Sequence, residues 1–288
     1  MKVAVVTDSN SGITQKLAED IGVYVVPMPV LIDGEQFFEG VTLSQEQFYE
    51  RLKTAERIST SQPSAFDVGE LWKKILKTHD AIVHIPMSSG LSQTCTSLTR
   101  VAETEFAGKV FVVDNQRISI TQRQSVYDAV TMAKKGKSAK DIYKWLMKTK
   151  MQSSIYIMVD TLKYLKKGGR LTPAVAAIGT LLHIKPVLQI QGDKLDNFAK
   201  VRKLSAAKDV MLKAIKKDFE TRFINEVKSG KMTLCVAHTQ NESEAIKFAE
   251  EIKALYPAVE FTFIDPLSLS VSCHIGPGAL AVACSVKY

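Results

Sequence analysis

The stretch Val3-Ala4-Val5-Val6, running into Thr7-Asp8-Ser9-Asn10-Ser11-Gly12, decides the fold. Four consecutive apolar residues without polar alternation read as a strand buried on both faces, the habit of parallel sheets covered by helices. Thr14 to Ile21 follows with Leu17 and Ile21 on one helical face, and Val23 to Val26 is the next apolar run. Leu31-Ile32-Asp33-Gly34, with Phe37 and Phe38 beyond it, has the look of a hairpin. Ser44 and Gln47 form a capping box that predicts a helix from Gln45 to Ala55, with Phe48 and Leu52 inward.

The alternation continues through Asp67–Lys77 (helix), Ala81–Ile85 (strand), Gln93–Phe106 (helix), Val110–Val113 (strand) and Ser125–Lys134 (helix). Ser138 caps a further helix through Met147. From Ser153 the rhythm changes. A strand to Val159 leads to a basic helix ending at Gly168-Gly169 and an apolar helix from Pro173. Val187–Ile190 and Leu195–Ala199 flank the turn signal Gly192-Asp193. A long helix from about Ser205 to Val227, strand Thr233–Ala237, helix Glu242–Leu255, strand Glu260–Ile264 and a buried strand Ala279–Val286 complete the chain. The expected fold is α/β in two domains. Residues 1–152 form a mostly parallel sheet with flanking helices, and residues 153–288 form an α+β domain with a mixed sheet.

Composition narrows the function. With 288 residues, 45% apolar and 24% charged, the chain is an ordinary globular one. No window is long and apolar enough to span a bilayer, and no signal-peptide pattern opens the chain, so a soluble cytoplasmic protein is expected. Cys95, Cys235, Cys273 and Cys284 lack metal-ligand spacing and read as buried free thiols; no metal is expected. The net charge of +8 is uneven: Lys134 to Lys231 carries 23 Lys and Arg against 8 Asp and Glu. Such a segment is a solvated face or a docking face for an anionic partner. Without a recognition motif it gives no case for nucleic acid.

There is no phosphate-loop, nucleophile-elbow or zinc-protease motif. Gly276-Pro277-Gly278-Ala279-Leu280-Ala281 fits a dinucleotide fingerprint, but the βαβ unit that fingerprint needs does not accompany it. What recurs is a set of hydroxyl-rich loops: Thr7 to Gly12, Ser59-Thr60-Ser61-Gln62-Pro63-Ser64 and Ser88-Ser89-Gly90-Leu91-Ser92-Gln93-Thr94. Each hydroxyl either caps the next helix or donates to an anion at the strand ends. Asp8 is read as a loop organiser for Ser9 and the nearby amides. His274, before Gly276-Pro277-Gly278, is either a core group or a polar site residue, and Arg170 is either a solvated side chain after a glycine cap or an anion contact. The same loops would also suit an enzyme on a small phosphorylated or hydroxylated metabolite, with His274 as base.

Taken in order, Thr7-Asp8-Ser9, Thr60-Ser61-Gln62-Pro63-Ser64, Ser88-Ser89-Gly90-Leu91-Ser92, Gly168-Gly169-Arg170-Leu171 and His274-Ile275-Gly276-Pro277-Gly278 resemble the DegV family of bacterial fatty-acid-binding proteins across nearly the whole chain. The resemblance implies a two-domain α/β fold with one long-chain fatty acid between the domains and no other cofactor. It implies that Thr60 and Ser92 hold the carboxylate, that Ser61, Ser89, Arg170 and His274 form the supporting polar network, and that Asp8, Ser9, Gly276 and Gly278 organise the loops. It also implies a non-catalytic carrier that meets the membrane surface transiently and presents the acid to a separate ATP-dependent fatty acid kinase subunit, which makes acyl phosphate for phospholipid synthesis. The chain departs from the family pattern at Gln93, and at Thr121 and Arg123, where the family usually has glycines.

Overall fold

The computed structural model describes residues 1–176 and 184–288. The expected apolar helix from Pro173 is described only over Pro173–Ala176; its continuation, His183 included, lies outside the described residues. The chain divides into two compact units, one of Met1–Lys150 with Ser268–Ser270 and Tyr288, the other of Met151–Leu267 with Val271–Lys287.

In the first unit the elements run β1 (Val3–Asp8), α1 (Gln15–Ile21), β2 (Tyr24–Val26), β3 (Pro29–Ile32), β4 (Glu35–Phe38), α2 (Gln45–Thr54), β5 (Ile58–Thr60), α3 (Ala65–Ile75), β6 (Ala81–Ile85), α4 (Thr94–Glu105), β7 (Val110–Val112), α5 (Ser119–Lys134) and α6 (Ala139–Lys148). Strands β2-β1-β6-β7 form a parallel sheet in that order. The uninterrupted apolar run of β1 serves both faces. Ala4, Val6 and Ile82 pack with Trp72, Leu98 and Phe106 of the α3–α4 side. Val5, Val83 and Ile85 pack with Val126, Met132 and Ile142 of the α5–α6 side. Hydroxyls begin four of these helices: Thr14, Ser44, Ser64 and Ser138 each accept a hydrogen bond from a first-turn amide, and Ser44 with Gln47 closes the capping box.

Two differences from the sequence reading matter. A separate three-stranded antiparallel sheet, β4-β3-β5, carries the hairpin, whose turn residues Asp33 and Gly34 both have positive φ. Thr60 is therefore the last residue of β5 and does not follow a strand of the parallel sheet. Helix α5 starts at Ser119, six residues before the expected start. The run Ile118-Ser119-Ile120-Thr121 has the β-branched look of non-helical chain, and the entry turns at Gln116 and Ser119 take left-handed conformations without a glycine to mark them.

The second unit contains β8 (Ser153–Met158), α7 (Lys163–Lys167), α8 (Pro173–Ala176), β9 (Lys185–Ile190), β10 (Leu195–Val201), α9 (Leu204–Glu220), α10 (Ile224–Lys228), β11 (Met232–His238), α11 (Glu242–Leu255), β12 (Glu260–Pro266) and β13 (Leu280–Val286). A further helix, α12 (Leu269–Ile275), lies between β12 and β13 and has no counterpart in the sequence reading. The mixed sheet has the order β10-β9-β8-β13-β11-β12, with only β11 and β12 parallel. The helix expected from Ser205 to Val227 is broken at Thr221–Phe223. Phe223 turns into the core, its amide donates to Asp218 O at 2.9 Å, and Arg222 reaches Asp218, Ser154 and Met151 O. Asp218 in turn accepts from Ser154 Oγ at 2.6 Å and Tyr156 Oη at 2.8 Å.

All four cysteines are free and buried. Among the described residues no helix is long and apolar enough to cross a membrane, and no group of three or more His, Cys, Asp and Glu could hold a metal ion.

In the parallel sheet, His84 is fully buried and its Nδ1 accepts the Trp72 Nε1–H at 3.1 Å, so the ring is neutral with its proton on Nε2. Burial pushes its pKa down to about 3. The unfolded chain takes up a proton near 6.5 that the native state refuses, so His84 makes stability fall as pH drops from about 6.5 towards 3. Urea unfolding should therefore show a loss of stability between neutral pH and about pH 4 that is shallower in His84→Gln. Equal slopes in the two proteins would refute the assignment.

Candidate functional site

In the parallel sheet β1 and β6 are neighbours, and the chain leaves them in opposite directions, to β2 on one side and β7 on the other. In open α/β sheets the crevice for a ligand lies at this reversal, beyond the carboxyl ends of the strands. The loops that leave those ends are Ser9–Gly12 and Pro86–Gln93, two of the hydroxyl-rich stretches.

Asp8 closes β1. It is fully buried, and its carboxylate accepts from Asn10 N at 3.0 Å, Met87 N at 2.9 Å and Gln122 Nε2 at 3.1 Å. Burial raises its pKa against the pull of these donors. Gln122, also fully buried, donates as well to Thr7 Oγ1 and Ile85 O, so one α5 side chain binds the ends of both central strands. Ser9–Ser11 form a 3-10 turn ended by Gly12 at φ +75°. Ser9 Oγ donates to Glu39 Oε2 at 2.6 Å and accepts from Met28 N at 3.0 Å. Asn10 Oδ1 accepts from Ser268 Oγ at 3.2 Å and Ser270 Oγ at 2.5 Å, and Glu39 Oε1 accepts from Leu269 N at 2.5 Å.

Glu39 was absent from the sequence reading. Its residue is half-buried but its carboxylate is packed in, and burial pushes its pKa up to about 7, with the Asp8 charge adding to the rise. An acid directly after the apolar pair Phe37-Phe38 was the available signal. Gln122 was also missed, because the sequence reading began the helix at Ser125 and left Gln122 outside it.

In the second loop, Ser88 Oγ accepts from Gly90 N and Ser89 N donates to Asp114 Oδ1. Ser92 Oγ shares a 2.8 Å hydrogen bond with Thr94 Oγ1 and accepts from Thr94 N at 3.2 Å, so it is tied to the first residue of α4, whose N-cap position is Gln93. Gln93, the departure from the family pattern, is exposed. In the third loop Thr60 pairs with Val30, Ser61 N donates to Pro29 O at 3.3 Å, and Gln62 Oε1 accepts from Ser97 Oγ of α4 at 3.2 Å. Thr121 and Arg123 lie buried in the first turns of α5. Thr121 Oγ1 donates to Ile118 O, and Arg123 Nε donates to Tyr127 Oη at 2.7 Å.

The second unit brings Arg170, Gly168, His274 and Gly276 together. Arg170 Nη1 donates to Gly168 O at 2.8 Å. Gly168 lies so close to the His274 ring that a Cβ there would sit 2.1 Å from Nδ1, and a Cβ on Gly276 would sit 2.3 Å from the Tyr164 ring. Gly276 also has φ +73°, and Thr239 Oγ1 donates to its carbonyl at 2.7 Å. Gly278 has φ +84°, and its amide donates to Thr239 O at 2.7 Å. Burial, aided by the Arg170 charge, lowers the His274 pKa to about 4, so the ring is neutral at pH 7.

These contacts give one loop cluster of hydroxyls and amides around a buried acid, and one cluster of a neutral histidine beside an arginine. In the first cluster the donors serve Asp8 and Glu39, and in the second Arg170 serves the Gly168 carbonyl.

Gly168→Ala and Gly276→Ala should each cost about 2 kcal/mol or more in urea unfolding, because the added methyl meets a packed ring. Gly230, with φ +67° and open space around it, is the control, and its alanine variant should cost only about 1 kcal/mol. Equal losses at all three would remove the close-approach argument.

The family model described as uncharacterised protein, DegV family, matches residues 2–287. Protein DegV of Bacillus subtilis is 32% identical over 289 residues, with 100% of each chain covered. Among solved structures, a DegV family protein from Thermus thermophilus, described by its fatty acid binding, superposes with a TM-score of 0.90 at 28% identity, covering 99% of this chain and 100% of that one. The crystal structure of Bacillus subtilis DegV, called a fatty acid binding protein, gives 0.85 at 32% identity with both chains fully covered. On this full-length agreement of sequence and fold, the chain belongs to the DegV family.

Proposed function

We propose that the protein binds one long-chain fatty acid and acts as a carrier, with the acyl chain in an apolar tunnel and the carboxylate held by Thr60 and Ser92. Ser61, Ser89, Arg170 and His274 supply the surrounding polar groups, and Asp8, Ser9, Gly276 and Gly278 hold the loops in place. The observation that carries this reading is the full-length match to the Thermus thermophilus protein, which binds fatty acid. The chemistry of the loops supports it, since hydroxyls and amides are donors suited to retention of a carboxylate.

The energetics agree. Each methylene moved from water into an apolar tunnel contributes about 0.8 kcal/mol, so the tail supplies most of the affinity. The head group needs only enough donors to avoid a buried, uncompensated charge. A neutral His274 beside Arg170 leaves one fixed positive charge for the ligand's negative one. The carrier works in the cytoplasm without a cofactor, touches the membrane surface transiently through its basic segment, and presents the carboxylate to a separate ATP-dependent kinase subunit for acyl-phosphate formation in phospholipid synthesis.

Denaturing the purified protein and extracting it into organic solvent should release a long-chain fatty acid near one equivalent by mass spectrometry. An empty extract, with no uptake of added oleate or palmitate, would refute the carrier reading. Thr60→Ala and Ser92→Ala should each weaken oleate binding by about tenfold to a hundredfold, the cost of a lost hydrogen bond to a charged group. Circular dichroism should be unchanged. Unaltered affinity in both variants would remove these two residues from the site.

A further inference from the structure

Glu39 occupies a junction. Its Oε2 takes the hydrogen of Ser9 Oγ, its Oε1 takes that of Leu269 N, and Ser9 Oγ is already an acceptor for Met28 N. While Glu39 is ionised, the single hydroxyl hydrogen of Ser9 is committed and cannot serve a ligand. A protonated Glu39 can donate to Ser9 Oγ instead, which frees that hydrogen, while its other oxygen keeps the Leu269 amide.

The site loops are within electrostatic reach. Glu39 N donates to Met28 O at 3.2 Å and Ser61 N donates to Pro29 O at 3.3 Å, so Glu39 and the Thr60–Ser61 loop flank the start of β3, about two strand spacings or ~10 Å apart. A carboxylate arriving at Thr60 adds a like charge at roughly the screening length of physiological salt. Asp8, at the end of β1, already acts on Glu39 in the same sense, while the neighbours Ser9, Leu269 and Ser270 are neutral donors. Burial already raises the pKa of both Asp8 and Glu39, and an added negative charge favours protonation further; of the two it is Glu39 that bonds the Ser9 hydroxyl.

We propose that Glu39 is a proton-linked positioning residue of the carboxylate site: it takes up a proton when the ligand's carboxylate arrives, and in doing so releases the Ser9 hydroxyl to the site. This rests on the fatty-acid reading above. Burial and the Asp8 charge push the Glu39 pKa up to about 7, which suits the group to this role. Binding then tightens as pH falls through neutrality.

The decisive measurement is a carbon-13 NMR titration of the Glu39 carboxyl in the wild-type protein, unliganded and saturated with oleate. The midpoint should rise on saturation. Oleate affinity should also be about fivefold tighter near pH 6 than near pH 8, beyond any change seen in Glu39→Gln, which mimics the protonated state and should bind near pH 8 as the wild type does near pH 6. A Glu39 midpoint unmoved in oleate-saturated protein, or identical pH profiles for the two proteins, overturns the coupling and leaves the carrier reading standing. Failure of oleate to bind either protein at any pH overturns both.

Discussion

The buried carboxylate of Asp8 is the constraint on which the first unit's loops depend. A charge taken out of water is costly unless donors replace the lost hydration. Here they come from three parts of the chain: the Asn10 amide just beyond β1, the Met87 amide just beyond β6, and the Gln122 side chain of α5. Meeting that one requirement fixes the exits of both central strands against one helix. The hydroxyl-rich loops leave from those exits, so their geometry follows from the satisfaction of Asp8.

From Asn10 and Ser9 the order spreads outward through a second layer of polar contacts. Asn10 holds Ser268 and Ser270, and Glu39 holds Ser9 and the Leu269 amide. Two acids thus anchor the same turn by different means. Asp8 meets donors from both strand exits and from α5, and burial raises its pKa against them. Glu39 sits beside another negative charge and burial pushes its pKa up to about 7, which is where a carboxyl is able to respond to a ligand's charge. In the second unit the close packing is steric. Gly168 and Gly276 are glycines because rings of His274 and Tyr164 occupy the space a methyl would need.

Much of the architecture was legible in the chain because it rests on local rules. The apolar runs at Val3, Ala81 and Val110 and the helix starts at Thr14, Ser44 and Ser138 are read within a few residues and appear where those rules place them. Where long-range contacts override local preference, the reading failed. Helix α5 begins in a β-branched run because its first turns are buried in the unit's interior, and the α9–α10 break exists because Phe223 gains a core position while Arg222 gains Asp218 and Ser154. Helix α12, Leu269–Ile275, has serines and a cysteine where a helix signal would need periodic apolar residues.

The sequence by itself determined the α/β class, the order of most elements and the family, since hydrophobic period, caps and motif order are written in adjacent residues. It also marked out the hydroxyl-rich loops. The tertiary structure alone decided what those hydroxyls do. Ser92 is bound to Thr94 at the start of α4, Thr60 belongs to a separate small sheet, and Ser9 is bound to an acid thirty residues away. It also raised Glu39 and Gln122 from ordinary polar residues to members of the loop scaffold. A side chain's hydrogen-bond partner and its protonation depend on which distant groups share its surroundings, and that information exists only once the chain has folded.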